Sequence, residues 1–116
     1  QAMQAGNWTG LDAFACLLTE NSLHRLQWPR LRDVPVLTTY GELDNLVITA
    51  LQRTDTTRLC QQGYRIEYLE CAGKGHTPGA SASLPYAMAW LQDRVAGKPL
   101  DTSKNCVVSP PVVCGP

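Results

Sequence analysis

Nowhere in the 116 residues does an apolar run approach the roughly 20 residues a membrane-crossing helix needs, so no transmembrane segment is expected. Excess charge is lacking too. Ten Lys and Arg balance ten Asp and Glu, which removes the electrostatic case for nucleic acid or an anionic membrane surface as partner. Residues 1–8 carry no basic-then-apolar pattern, so a signal peptide has either been removed or lies upstream of the chain. Zinc spacings are missing as well: there is no C-x-x-C pair and no H-x-x-x-H.

What remains is a globular composition, 44% hydrophobic and 17% charged, with room for one domain of modest core. Five cysteines (Cys16, Cys60, Cys71, Cys106 and Cys114) are many for this length. Without zinc spacing they read as disulfides formed in an oxidising compartment, which places the protein outside the cell or in a periplasm. An odd number leaves one thiol single or paired outside the chain. Asn7-Trp8-Thr9 is an N-glycosylation sequon.

Along the chain, residues 9–20 read as an amphipathic helix with Thr9 as N-cap and Leu11, Phe14, Ala15 and Leu18 on one face. Residues 21–33 read as loop. Residues 35–40 are a near-continuous β-rich run ended by Gly41, suited to a strand covered on both faces. Residues 48–62 read as a helix closed by Gly63, and residues 64–69 alternate as a second strand. Residues 72–79, with three glycines, read as loop. Residues 84–96 follow as a helix capped by Ser83, its core face Leu84, Ala87, Met88, Leu91 and Val95, stopped by Gly97 and Pro99. Residues 100–116 read as an irregular tail held by cysteines. The expected class is α/β, with parallel strands joined by a helical crossover. Two such strands do not complete a doubly wound domain, so a further segment is expected beyond this chain.

In open α/β sheets functional groups gather past the carboxyl ends of the strands. After the first strand stands Gly41-Glu42-Leu43-Asp44, and after the second Gly73-Lys74-Gly75-His76-Thr77-Pro78-Gly79. A carboxylate accepting from one imidazole nitrogen fixes the tautomer and leaves the other nitrogen free to take a proton from a nucleophile. Asp44 and His76 are the candidate pair. Glu42 is a rival acid, and Asp44 as a loop cap or His76 as an ordinary loop histidine are the plainer readings. His24 has no acidic companion at useful spacing, Lys74 reads as solvated, and Tyr86 and Trp90 read as packing groups.

Glu20-Asn21-Ser22, Pro35-Val36-Leu37, Gly41-Glu42-Leu43-Asp44 and Leu46-Val47, then Cys60-Gln61-Gln62-Gly63-Tyr64-Arg65-Ile66-Glu67-Tyr68, Gly75-His76, Trp90-Leu91-Gln92-Asp93-Arg94-Val95-Ala96-Gly97-Lys98-Pro99 and Cys106, taken in that order, resemble the secretory lipase family of α/β-hydrolases. The resemblance covers about residues 20–106. It implies the C-terminal part of an α/β-hydrolase fold: residues 1–33 end a cap or lid region, 34–99 form the last strand-helix-strand-helix of the core, and 100–116 are a disulfide-anchored tail. It implies a carboxylic ester hydrolase in which Asp44 is the triad acid and His76 the general base, with a tethering disulfide Cys60–Cys106. Cys71 and Cys114 are additional to the family pattern and available to pair with each other. The family's G-x-S-x-G nucleophile elbow is absent, and Gly79-Ala80-Ser81-Ala82-Ser83 does not fit it. The nucleophile is therefore expected in an N-terminal remainder of the same hydrolase, the substrate is an ester or lipid, no metal or organic cofactor is needed, and the chain alone is expected to be inert. A tripeptidyl-aminopeptidase-like serine hydrolase would share the G-E-L-D and G-x-G-H loops, and a non-catalytic, disulfide-rich secreted binding module is the reading from another class.

Overall fold

The computed structural model describes residues 12–20 and 34–115. Thr9, the sequon at Asn7, His24 and the expected 21–33 loop lie outside them. The order is α1 (Asp12–Glu20), β1 (Pro35–Gly41), α2 (Thr49–Gln61), β2 (Arg65–Cys71) and α3 (His76–Val95). The two strands pair in parallel from Pro35 opposite Arg65 to Gly41 opposite Cys71, and α2 is the crossover that a parallel pair requires. The chain is α/β. Gly63, at φ +91°, ends α2 as the sequence predicts.

The residues of β2 alternate in polarity, yet Ile66, Glu67, Tyr68, Glu70 and Cys71 are all buried. Both faces are covered. Glu70 meets α2, where Arg53 Nε donates to Oε2 at 2.8 Å, Arg53 Nη2 donates to Oε1, and the Tyr68 hydroxyl adds a third bond. On the opposite face Glu67 accepts from the Tyr86 hydroxyl and, at 3.0 Å, from Trp90 Nε1, with the Lys104 ammonium 3.6 Å away. Tyr86 and Trp90 are thus donors to a buried carboxylate as well as packing groups.

Arg53 holds the Glu70 carboxyl below its ordinary value of 4.5, with burial opposing and Tyr68 assisting. A depressed carboxyl stabilises the fold above its unfolded pKa, and that contribution is lost as pH falls through the lower folded value. Glu70→Gln is therefore expected to melt below the parent protein at pH 7. The two melting curves should converge as the pH is taken below about 4.5.

The largest departure from the sequence reading is α3, which starts at His76 rather than at Leu84. Glycine and proline between residues 73 and 79 suggest a loop, yet Pro78 sits in the first helical turn, where its missing N–H is no loss. Gly79 is where helix touches strand: a Cβ there would lie 2.8 Å from the Gly41 backbone. Ser83 is not a cap but a buried helical residue whose hydroxyl donates to the Ala80 carbonyl at 3.0 Å. The predicted core stripe is also corrected. Leu84, Met88, Leu91 and Val95 are 57%, 49%, 51% and 82% exposed, because the side of α3 bearing Gly79, Ala82 and Ser83 is the one turned inward.

The tail is anchored as expected. Cys60–Cys106 and Cys71–Cys114 are both bonded, and Cys16 is free and exposed. Backbone bonds run from Cys106 N to Ile66 O, from Val112 N to Glu70 O and from Ala72 N to Val112 O, at 2.6, 2.9 and 2.8 Å. Replacing Cys71 and Cys114 together by serine opens a loop with a sequence separation of 43. On the chain-entropy account it should cost about 4 kcal/mol, read as a lower urea midpoint.

Candidate active site

β1 ends at Gly41, where a Cβ would strike the carbonyl oxygens of Lys74 and Gly75. Glycine lets the loop after β2 cross directly over the end of β1. Two backbone bonds zip the loops together: Glu42 N to Cys71 O at 3.0 Å and Leu43 N to Lys74 O at 2.8 Å. Asp44 N then turns back to Gly41 O at 3.1 Å. The Thr49 hydroxyl, at the head of α2, donates to that same carbonyl at 2.6 Å, and Gln52 Nε2 donates to Val47 O at 2.9 Å.

Within this frame the Asp44 carboxylate has no freedom left. Oδ1 accepts from the amides of Leu46 and Val47, both at 3.0 Å, and Oδ2 lies 2.7 Å from His76 Nδ1. The Asp44 side chain is 4% exposed and that of His76 48%. Burial alone would raise the Asp44 pKa. The His76 bond and the Val47 and Leu46 amides outweigh it, leaving the carboxyl below its ordinary range. His76 is the first residue of α3 rather than a loop residue, so its backbone is fixed by the helix. With Nδ1 engaged, Nε2 is the nitrogen available to a second partner.

Glu42, the rival acid, has its carboxylate on another group: Oε2 accepts from the Gly73 amide at 2.7 Å. Lys74 contributes its carbonyl to the loop zipper and is half-buried rather than fully solvated. A cavity of about 150 Å³ opens beside Asp44 and His76, bounded also by Tyr40, Gln52 and Ala80. An apolar groove of about 630 Å³ shares Tyr40, Val47 and Gln52 with it and continues along Leu51 and Leu59 of α2. Among the described residues, no group of three or more His, Cys, Asp or Glu side chains is placed to hold a metal ion. The Leu46 and Val47 amides, Thr49 and Gly79 were missed in the sequence; only a glycine one turn into a helix after a strand-end histidine could have signalled the last.

The secretory lipase profile matches residues 10–103. This chain belongs to the secretory lipase family. It is also similar to Lipase 10 of Candida albicans, with 27% identity over 89 residues, which cover 76% of this chain and 19% of that protein. The chain therefore spans about a fifth of the length of the curated relative it matches. No solved structure matches it. For a secretory lipase the two disulfides fit an oxidising, extracellular setting. No described helix is long and apolar enough to cross a membrane.

Proposed function

We propose that this chain is the C-terminal part of an α/β-hydrolase secreted to the cell exterior or periplasm, and that it supplies the acid and base of a Ser-His-Asp triad for hydrolysis of carboxylic esters. Residues 34–99 are the last strand-helix-strand-helix of the core, residues 1–33 end a cap region, and residues 100–116 are the anchored tail. The serine comes from polypeptide outside these residues. The observation that carries the reading is the 2.7 Å approach of Asp44 Oδ2 to His76 Nδ1 past the ends of neighbouring parallel strands. Asp44 holds His76 in the tautomer with a proton on Nδ1 and stabilises the imidazolium. His76 Nε2 takes the serine proton as the hydroxyl attacks the acyl carbonyl and returns it to the leaving alkoxide. The chain does no such chemistry alone, because the base has no hydroxyl to activate.

The N-terminal remainder of the hydrolase is the proposed partner. Its support is the outward apolar stripe of α3, the groove beside α2, and an edge of β1 that pairs with no other described strand. Expression of the full-length polypeptide tests the proposal. It should carry a G-x-S-x-G serine labelled by a fluorophosphonate and hydrolyse p-nitrophenyl esters, while residues 1–116 alone do neither. Cleavage of tripeptide amides in place of esters would move the substrate class, and an unlabelled, inactive full-length protein would end the reading.

A further inference from the structure

The proposed triad leaves Glu42 without a task, although its carboxylate makes a short bond to the opposite loop. Cys71 to Lys74 form a turn in which Lys74 N donates to Cys71 O at 3.3 Å and Gly73 is the third residue at φ +66°. In turns that need positive φ at this position, the closing bond uses the fourth residue's N–H and leaves the third residue's N–H without a partner inside the turn. Here that amide meets Glu42 Oε2 at 2.7 Å. Glu42 lies two residues before Asp44, and Gly73 three before His76. The main chain of Glu42 also donates to Cys71 O at 3.0 Å. One residue thus grips the base loop at both the root and the tip of its turn.

We propose that Glu42 is a positioning residue. Resting on the roles given above to Asp44 and His76, it clamps the turn that leads into α3 and so fixes His76 against Asp44. The backbone zipper sets the spacing of the loops, and the carboxylate fixes the tilt of the turn. The bond needs an acceptor rather than a charge, so glutamine should replace glutamate while alanine and leucine should not.

The test uses the full-length hydrolase with Glu42→Ala, Glu42→Leu and Glu42→Gln. Alanine and leucine are expected to lower kcat about tenfold with KM within about twofold, since small misplacements act on the chemical step. They should also weaken the low-field NMR signal of the His76 Nδ1 proton, and Glu42→Gln should restore both. Parental kcat and an unchanged proton signal in both truncations overturn the proposal. A kcat loss that glutamine fails to rescue also overturns it, because charge and not the clamp would then be acting. Gly73 amide exchange in the parent protein needs no variant: slow exchange is expected, and exchange at the unprotected rate overturns the clamp. Absence of ester hydrolysis in a parent protein that keeps the proton signal and the slow Gly73 exchange would sink the hydrolase reading and leave the clamp standing.

Discussion

With the proposed triad, Asp44→Asn in the full-length protein is expected to lower the kcat of ester hydrolysis by about 10⁴-fold with KM nearly unchanged, the scale known for the equivalent change in a serine-protease triad. The local hydrogen bonds dictate the size of the effect. Two amides, Leu46 N and Val47 N, donate to Oδ1 at 3.0 Å, so an asparagine must keep its carbonyl oxygen there. Its amide nitrogen then occupies the Oδ2 position, 2.7 Å from His76 Nδ1. An N–H facing Nδ1 forces the ring proton onto Nε2, and Nε2 can no longer accept from a serine hydroxyl. The fold should survive, because the loop amides stay satisfied. Ester-hydrolysis kinetics alongside a thermal melt make the measurement. A loss below about tenfold would show that Asp44 does not set the tautomer of a catalytic base.

Gly79→Ala is the second large effect. Its methyl would lie 2.8 Å from both Cα and N of Gly41, backbone atoms of a strand end that cannot rotate away. The first turn of α3 must lift, and His76 begins that turn. Overpacking of this kind costs about 1–3 kcal/mol, and a displacement near 1 Å at the base can cost about 10²-fold in rate. Both a lowered melting temperature and a lowered kcat are expected, with the kcat deficit persisting well below the melting range. Parental kcat in Gly79→Ala would mean that the helix–strand contact does not set the placement of His76.

The elements that were legible in the sequence are those whose signals are local. A β-branched run stopped by Gly41 marks β1, and Gly63 marks the end of α2. Asp44 and His76 stand out because each follows a strand, Asp44 three residues after Gly41 and His76 among Gly73, Gly75 and Gly79, and their juxtaposition then depends only on strand order. The beginning of α3 was not legible, since Pro78 and Gly79 carry the same letters in a loop as in a first helical turn packed on a strand. Nor was the inward face of α3. The apolar spacing of Leu84, Met88, Leu91 and Val95 marks a surface that wants cover, without saying that the small residues Gly79, Ala82 and Ser83 meet this sheet. Glu67 and Glu70 are charged letters in a strand, and their burial depends on Arg53, Tyr86 and Trp90, which lie 17 to 23 positions from the carboxylates they bond. Spacing along the chain carries no trace of such partners.

The tail has a consequence for how such a sheet meets other chains. Its bonds to Ile66, Glu70 and Ala72 occupy the outer flank of β2, and Cys71–Cys114 makes that occupation covalent. A newcomer strand can therefore add only alongside β1, so growth of the sheet is directional. Reduction of the bond would loosen that seal and give the sheet a second growing end, exchanging a docking geometry with one solution for one open to stray templating.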